Sequence, residues 1–373
     1  MKVVVTSIIT GIAGSENYFL NALPALQKHD GIDITFIVLT PAREKGKEEK
    51  FVQLLTQSGV ETKTIYFSKI LLSGLYKLSK QLREINPDIV HSHLLYADVV
   101  VSLINRFFYK KFKHVTTKHG YEEWYNAKFG FDPSHRVKNK YWRVAKRAEK
   151  TVEGGFAVSN ALKNLYQGLG ISNHYDLKVI HHGFDYDFDL SHKKSNEKLT
   201  LVMVGRLTAF KGHKYAIDAA THLVQKNVDF KLQIVGNGPI ENELKSMVKE
   251  KSLDRVVEFL GYQPNGYEFM INADVVLIPS VAEGFGLVVL EAMAAKTPIV
   301  AFDVPAINEA LEDKKTGLLV APYDTIIYAD AIQYLSQHPE IRQEIADNAE
   351  QHLKSYFSLQ RMVEETLQFY QSI

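Results

Sequence analysis

One stretch of the chain, residues 274–303, has a residue pattern that few folds accommodate. Its sequence is DVVLIPSVAEGFGLVVLEAMAAKTPIVAFD. The apolar run Asp274–Pro279 predicts a buried strand, Leu287–Ala295 predicts a helix, and Pro298–Phe302 predicts a second strand. Strand, glycine loop, helix and strand in this order predict a parallel sheet whose strands are connected by helices.

The loop Ser280–Gly286 brings backbone N–H groups and a helix N-terminus to one place, which favours an anion. Glu283 lies in this loop, and Glu291 follows eight positions later, one turn beyond Leu287. Carboxylates beside a phosphate cannot bind the phosphate itself, whereas they readily accept hydrogen bonds from hydroxyl groups. The pattern therefore predicts a ligand that carries sugar hydroxyls on both sides of a phosphate.

Length and composition narrow the class of protein. At 373 residues, two domains are expected. The chain has no cysteine, which excludes disulfides and thiolate metal sites. Met1–Val5 leads directly into a predicted strand without a charged segment and an apolar segment before it, so no signal peptide is expected. No apolar run approaches the ~20 residues of a spanning helix. We expect a soluble, cytoplasmic protein.

The small net charge of +1 hides an uneven distribution. Residues 1–190 hold 26 Lys+Arg and 19 Asp+Glu, whereas the remainder holds 18 and 24. The first half is therefore basic, at +7, and the second half is acidic, at −6. This asymmetry predicts that the two halves have different functions.

The first half begins with a predicted strand, Lys2–Ser7, and a small-residue loop that contains Gly11, Ala13 and Gly14. A glycine loop between a strand and a helix is a place where backbone approaches phosphate, although a tight turn without ligand is an equal alternative. Strands and helices then alternate at roughly 30-residue spacing. The predicted strands are Asp33–Leu39, Glu61–Phe67 and Ile89–His91, and the predicted helices are 51–58 and Leu72–Ile85.

Histidines follow two of these strands. His91 and His93 lie at the end of one, and His119 lies in a polar loop after the next. Alternate residues of a strand share a face, so the first two rings could hold a metal. Because no third ligand has a convincing spacing, we favour a role in lining a cleft. Ligands of parallel sheets gather at the carboxyl ends of the strands.

Residues 104–150 are basic and aromatic. The ordinary interpretation is a solvated pair of amphipathic helices. The alternative is a surface that meets anionic lipid or a phosphate-bearing acceptor. Nucleic acid is disfavoured, because acidic charge elsewhere offsets this region and no recognised nucleic-acid-binding module is present.

A polar segment, 183–197, marks the boundary before the second half. There a buried strand, Leu199–Val204, precedes Gly205, Arg206 and Lys211. A guanidinium and an ammonium in one loop at a strand end would together stabilise a diphosphate. A charged surface loop without ligand is the alternative.

Taken together, these motifs are specific enough to indicate a family. The second half resembles the family 4 retaining glycosyltransferases, which have the GT-B fold. The matching motifs are GRLTAFKG (205–212), VGNGP (235–239), EFLGY (258–262), EGFGLVVLE (283–291) and GLLVAPYD (317–324). The first half matches more loosely, through DIVHSH (88–93), TTKHG (116–120), AVSNALKNL (157–165) and VIHHGFD (179–185).

The resemblance implies an α/β fold in which two Rossmann-like, doubly wound parallel-sheet domains face a cleft. Residues 1–188 would bind the acceptor, and residues 189–356 would bind the nucleotide-sugar. The last helix, 357–373, would cross back onto the first domain.

The resemblance also implies roles for individual residues. Arg206 and Lys211 would neutralise the donor diphosphate, Glu283 would hold the sugar to be transferred, and Glu291 would accept hydrogen bonds from the ribose. His119 would contact the donor sugar as a further catalytic residue. The other implied contacts with the nucleotide-sugar are Gly14, Gly205, Gly236, Tyr262, Phe285, Gly286 and Leu287.

Enzymes of this family generally transfer sugars with retention and without metal, so we expect neither a metal nor a separate cofactor. UDP is the expected nucleotide, from its frequency in the family. The expected acceptor is a glycan, a lipid-linked molecule or a small molecule in surface polysaccharide or glycolipid synthesis. The basic first half could place the protein peripherally on the inner face of a membrane.

Other functions compete with transfer. An epimerase or phosphorylase could use the same donor, and a non-catalytic partner subunit could keep the fold. Hydride transfer with NAD is disfavoured, because the first glycine loop lacks the third glycine of that fingerprint. The chain departs from the family in having His182 where Asn is frequent before Gly183, and in the spacing of Gly11 and Gly14.

Overall fold

Two compact units make up the described part of the chain. A computed structural model describes residues 1–12, 14–67, 71–132, 134–135, 137–193 and 196–373. The first unit consists of Met1–Glu122, Asp132–Phe184 and Leu359–Ile373, and the second consists of Glu123–Phe131 and Asp185–Ser358. Ala13, which the sequence places in the first glycine loop, lies outside the described residues.

Strands and helices alternate through both units. The strands are β1 (Lys2–Ile8), β2 (Asp33–Pro41), β3 (Glu61–Phe67), β4 (Ile89–His93), β5 (Lys113–Lys118), β6 (Gly154–Ala157), β7 (Lys178–Val179), β8 (Leu199–Val204), β9 (Phe230–Val235), β10 (Val257–Gly261), β11 (Val275–Ile278), β12 (Ile299–Phe302) and β13 (Leu318–Val320). The helices are α1 (Gly14–Gln27), α2 (Glu49–Gln57), α3 (Leu71–Ile85), α4 (Leu94–Phe107), α5 (Glu123–Phe129), α6 (Lys140–Ala148), α7 (Asn160–Gly168), α8 (His213–Gln225), α9 (Glu241–Glu250), α10 (Gly266–Ile271), α11 (Leu287–Ala294), α12 (Ile307–Ala310), α13 (Thr325–Gln337), α14 (Pro339–Tyr356) and α15 (Leu359–Ser372).

The first unit contains a seven-stranded parallel sheet with the order β3-β2-β1-β4-β5-β6-β7. The strands β1 and β2 are almost continuous apolar or β-branched runs that are buried along most of their length, as expected for strands with both faces covered. The chain reverses direction across the sheet between β1 and β4, and α4 begins directly at the end of β4.

The second unit repeats this topology with six parallel strands in the order β10-β9-β8-β11-β12-β13. Here the direction reverses between β8 and β11. A crevice forms outside the carboxyl ends of the strands at such a switch point, and ligands of doubly wound sheets bind there. The prediction of an α/β protein with two Rossmann-like parallel-sheet domains is confirmed.

Most predicted elements match the structure to within two or three residues, and β3 and β8 match at both ends. One segment belongs to a different unit from the residues on either side of it. Glu123–Phe131, which includes α5, belongs to the second unit, although the flanking segments belong to the first. Leu359–Ile373 belongs to the first unit and follows α14 of the second.

None of the helices in the described residues is long and apolar enough to cross a membrane.

Candidate active site

The loop after β8 is held by backbone contacts that require glycine. The Gly205 N–H donates to the Val235 carbonyl at 2.9 Å, and the Leu207 N–H donates to the Asn237 carbonyl at 2.8 Å. A Cβ atom on Gly236, which has a φ of +138°, would lie 1.9 Å from the carbonyl oxygen of Gly205. Gly236 therefore lets the loops after β8 and β9 approach each other closely.

The same loop is joined to the end of β11. It forms a 3₁₀ turn, Ala209–Lys211, and the Val281 N–H donates to the Phe210 carbonyl at 2.8 Å. Gly212 follows with a φ of +75°, and a Cβ atom there would lie 1.8 Å from the Pro279 carbonyl oxygen. This close packing fixes Lys211 beside the loop after β11.

Lys211 and Glu283 form an ion pair at this junction. The Lys211 Nζ donates to Glu283 Oε1 at 2.7 Å, and the Ser280 hydroxyl donates to the same oxygen at 2.8 Å. The Glu283 residue is buried, whereas the Lys211 side chain keeps 22% of its surface exposed. The structure thus places a cation and a carboxylate from two sequence-distant loops in direct contact at the switch point.

Arg206 lies on the surface of the second unit. Its guanidinium donates to Glu123 Oε1 of α5 at 2.8 Å, and both side chains are more than half exposed. An exposed pair of this kind contributes only about 0–1 kcal/mol to stability. The guanidinium can therefore exchange its carboxylate partner for a phosphate at little cost.

Glu291 lies on α11, which begins after Gly286 in the left-handed conformation, at a φ of +81°. Burial raises the pKa of Glu291 to about 7, and the charge of Lys211 opposes that rise. Burial also raises the pKa of Tyr186 well above its ordinary value, and the Glu291 carboxylate adds to this. Tyr186 is thus a neighbour of Glu291 that the sequence did not indicate.

The other residues predicted around the nucleotide-sugar differ in their surroundings. The ring of Phe285 is buried and lies 5.3 Å from the Phe357 ring, so only its backbone can serve a ligand. Leu287 is the first residue of α11. Tyr262 follows β10 and is 64% exposed, and no contact among the described residues joins it to the Lys211–Glu283 pair.

Sequence reasoning missed two residues near Lys211, Thr208 in the loop after β8 and His213 at the start of α8. Thr208 Oγ1 and both ring nitrogens of His213 are buried without a hydrogen-bond partner among the described residues. Burial, together with the charge of Lys211, lowers the pKa of His213 to about 3. Buried polar atoms without partners are rare and call for an explanation, such as a bound ligand or water. The feature of the sequence that could have indicated His213 is its position directly after Lys211 and Gly212.

In the first unit, the predicted histidines lie together at the carboxyl end of the sheet. The rings of His91 and His93 lie on one face of β4, with centroids 4.1 Å apart. His119 follows β5 and stacks on His93 at 5.0 Å and on His182 at 5.5 Å. His182 is the residue at which the chain departs from the family pattern.

Gly14 is the first residue of α1 in the first unit. Its approach to a diphosphate and the contact of His119 with a donor sugar stay predictions of the resemblance. Within the residues that the structure describes, no group of three or more His, Asp or Glu side chains has an arrangement that could hold a metal ion.

Comparison with known proteins places these features in a family. Residues 12–188 match the model of Glycosyltransferase Family 4, and residues 187–352 match the model of Glycosyl transferases group 1. An uncharacterized glycosyltransferase of Haemophilus influenzae is 26% identical over 96% of each chain. The alpha-D-kanosaminyltransferase of Streptomyces kanamyceticus is 35% identical, over 41% of this chain and 40% of its own length.

Solved structures share the fold over the whole chain. HepE of Anabaena in complex with UDP-glucose has a TM-score of 0.80 at 20% identity, with full coverage of both chains. The lipopolysaccharide outer core galactosyltransferase WaaB has a TM-score of 0.73 at 17% identity, also with full coverage. Over residues 12–352, the chain therefore belongs to the family 4 glycosyltransferases and has a group 1 glycosyltransferase domain in its second unit.

Proposed function

We propose that the protein is a retaining hexosyltransferase that moves a hexose from a UDP-sugar to a hydroxyl group of an acceptor. The observation that carries this proposal is the Lys211–Glu283 contact at the switch point of the second sheet, where the Lys211 Nζ and Glu283 Oε1 lie 2.7 Å apart. A cation for phosphate and a carboxylate for hydroxyls, side by side, fit a ligand in which a sugar is joined to a diphosphate.

The choice of UDP and of a hexose is supported by similar proteins. HepE, which has the same fold, was crystallised with UDP and glucose and with UDP-glucose. TarM, a further neighbour with a TM-score of 0.73, was crystallised with UDP. These structures show what proteins with this fold can bind. That this chain binds uridine and a hexose is our proposal.

In the proposed reaction, the acceptor oxygen forms a bond to the anomeric carbon as the bond from that carbon to the phosphate oxygen breaks. The acceptor proton passes to a phosphate oxygen, and UDP leaves. Arg206 and Lys211 stabilise the negative charge that develops on the diphosphate, and such electrostatic stabilisation usually accounts for most of the rate enhancement in reactions of this kind. A divalent cation has this electrostatic role in other sugar transferases, so we propose that the reaction needs no metal.

Glu283 orients the sugar in this proposal and does not attack it. Its Oε1 atom already accepts hydrogen bonds from Lys211 and Ser280, and the residue is buried. A carboxylate held in this way is suited to accepting a hydrogen bond from a sugar hydroxyl at a fixed place. Isolation of a sugar covalently bound to Glu283 of the native protein would contradict this role.

The function is tested by incubating the protein with a UDP-hexose, with and without hydroxyl acceptors. A transferase releases UDP rapidly only when a suitable acceptor is present, and at most slowly by hydrolysis without one. An epimerase would change the donor sugar without any acceptor, and a phosphorylase would require inorganic phosphate. A partner subunit would do none of these. Activity that is unchanged by EDTA would support the metal-independent proposal.

The nucleotide is tested by thermal denaturation with UDP, GDP and ADP and their sugars. A ligand at 100 times its dissociation constant stabilises the native state by about 2.7 kcal/mol. We expect the UDP series to raise the melting temperature most. A larger increase in melting temperature with GDP or ADP would show that the donor carries that nucleotide instead of UDP. The proposal of a transferase would be unaffected.

We further propose that the acceptor belongs to surface polysaccharide or glycolipid synthesis and that the first unit binds the inner membrane face peripherally. The support is an exposed basic and aromatic segment at the end of α4. Phe107 and Phe108 are 66% and 40% exposed, and Arg106, Lys110 and Lys111 beside them are exposed as well. Aromatic rings and cations together are typical of surfaces that bind anionic bilayers.

Sedimentation with vesicles tests the membrane proposal. Vesicles that contain anionic lipid should bind the protein at low salt, and binding should weaken as salt is added. Changing Phe107 and Phe108 to Ser should reduce binding, whereas Tyr356→Ser, which alters an exposed ring of the second unit, should not. Absence of binding at low salt would end the membrane proposal and leave the transferase proposal intact.

A further inference from the structure

His93 forms a hydrogen bond with the predicted cleft histidine. His93 Nδ1 lies 2.7 Å from His119 Nε2. Burial lowers the pKa of His119 to about 3 and holds the pKa of His93 well below its ordinary value, so both rings are neutral at neutral pH. Two neutral imidazoles at this distance share one proton, and whichever ring carries it donates to the other.

The ring of His93 is held firmly by its neighbours. Phe19 contacts it edge-on with ring centroids 4.8 Å apart, and His91 lies against it at 4.1 Å. The ring of His91 is itself fixed, because Tyr370 and Thr117 each lie 2.7 Å from one of its nitrogens. A ring packed in this way cannot rotate freely, so its Nδ1 stays directed at His119.

The backbone directly after His93 is strained. Leu94 has a φ of +70°, a left-handed conformation that is unfavourable for a residue with a Cβ atom. Strained conformations of this kind occur where the surrounding structure over-determines them, often at functional sites. Leu94 is the first residue of α4, so the strained residue directly follows His93 at the end of β4.

One nitrogen of the His119 ring forms no hydrogen bond with the described residues. Nδ1 of His119 is buried and has no hydrogen-bond partner among the described residues. A buried polar atom without a partner has a free-energy cost, because it has lost its hydrogen bonds to water. A hydroxyl of a bound sugar would remove that cost, and it would have to donate or accept according to which tautomer the His119 ring adopts.

We infer that His93 is a positioning residue that holds His119 in one neutral tautomer, so that Nδ1 of His119 has one fixed hydrogen-bonding role towards a sugar hydroxyl. The inference rests on the proposed function for the identity of the ligand, whereas the tautomer is a property of the free protein. The sugar can belong to the donor or to the acceptor, and the kinetics distinguish these sources.

The first test is nitrogen-15 NMR of the histidine rings in the free wild-type protein. We expect His119 to show one protonated and one bare ring nitrogen, with little averaging between them. His93→Leu should shift this distribution, and His93→Asn, whose amide lies close to the position of Nδ1, should restore it in part. Nitrogen-15 signals of His119 that average over both tautomers in the wild type would overturn the inference, whether or not the protein transfers sugars.

The second test compares kinetics with a matched control. His93→Leu should lower kcat/KM about tenfold, the effect of about one hydrogen bond, and His93→Asn should recover part of it. The loss should fall on the KM for the donor or on kcat if the sugar is the transferred one, and on the KM for the acceptor otherwise. His114→Leu removes another buried imidazole, which lies on β5 and bonds to Ser92 at 2.9 Å, so it should alter stability without changing the His119 signals.

A folded His93→Leu protein with unchanged His119 signals and unchanged kcat/KM would overturn the inference. If the wild type transfers no sugar at all, the proposed function fails, and the NMR result still decides the role of His93.

Discussion

The charge of Glu291 depends on pH near neutrality, because burial raises its pKa to about 7 from 4.5. Between these two values the folded protein binds more protons than the unfolded chain. The stability that the protonated carboxyl contributes is complete below pH about 4.5 and is lost as the pH rises through about 7. Glu291 therefore lowers stability under the conditions in which its carboxylate would bind ribose.

Glu291→Gln should remove the loss of stability that ionised Glu291 causes above neutral pH. At pH 8 the variant should have a free energy of unfolding about 1–3 kcal/mol above that of the wild type, and near pH 4.5 the two should differ little. Urea denaturation at both pH values measures the difference. Glu243→Gln, an exposed change on α9, is the matched control and should show no such dependence. Equal effects of Glu291→Gln at both pH values would contradict the burial of this carboxyl.

Lys211 and Glu283 should each be needed for turnover. We expect Lys211→Ala and Glu283→Ala to leave the fold intact and to lower kcat at least ~100-fold, because each removes a partner of the developing charge or of the sugar. Since the two side chains are in contact, the double variant should lose less than the product of the single effects. Steady-state kinetics with a UDP-sugar measures all three.

The control for these variants is a second lysine–glutamate pair in the same unit. Lys245 and Glu241 also lie 2.7 Å apart, but on the exposed face of α9. Lys245→Ala should change kcat less than twofold and stability by at most ~0.5 kcal/mol. Near-normal turnover of both Lys211→Ala and Glu283→Ala would remove the site assignment.

The sequence indicated which residues carry the chemistry but not which of them touch. Arg206 and Lys211 were predicted as a pair of cations for one diphosphate. In the structure Lys211 binds Glu283, and Arg206 binds Glu123 of α5. Side-chain partners depend on loops that lie far apart in sequence, and no local pattern specifies them.

At the scale of elements, periodicity and glycine placement predicted most of the second unit. The strand–loop–helix–strand unit around Glu283 lies within one residue of its predicted bounds, because each apolar run is short and has Gly or Pro next to one of its ends. The sequence did not predict that α5 belongs to the second unit. A short amphipathic helix can cover either unit, and its periodicity does not say which.

The alignment of α8 with the end of β11 should depend on Gly212. Gly212→Ala would place a Cβ atom 1.8 Å from the Pro279 carbonyl oxygen and would force the start of α8 away from the end of β11. This should separate Lys211 from Glu283, so we expect a loss of both stability and turnover. Gly59→Ala is the matched control, because Gly59 has a φ of +91° but open space around it.

Thermal denaturation and kinetics together decide this prediction. Gly59→Ala should lose only the roughly 1–2 kcal/mol of a left-handed backbone and keep its turnover. Gly212→Ala should lose more stability and most of its turnover. Equal losses in the two variants would show that the contact with β11 has no part in aligning the site.

At the scale of the molecule, the two units share one topology and differ in what lies at the switch point. The first sheet presents neutral histidines there, and the second presents Lys211 beside carboxylates. The opposite net charges of the two halves were visible in the sequence, but they do not describe the switch points, because the basic half presents neutral histidines there. The sequence did not indicate that the histidines form one stacked cluster, because His182 lies far along the chain from His119.

Nucleotide recognition should therefore depend mainly on the second unit, with Gly14 of the first unit predicted only to approach the diphosphate. We expect saturating UDP to slow hydrogen exchange in the loops after β8 and β11 and at the start of α11, and to leave the strands of the first unit unchanged. Inorganic pyrophosphate should protect the loop after β8 alone, because it carries the phosphates without the ribose. Lys211→Ala should abolish the protection by pyrophosphate, whereas Lys245→Ala should preserve it. Protection by UDP that appears only around Gly11 and the histidine cluster would place the nucleotide in the wrong unit and overturn the division of function proposed for the two sheets.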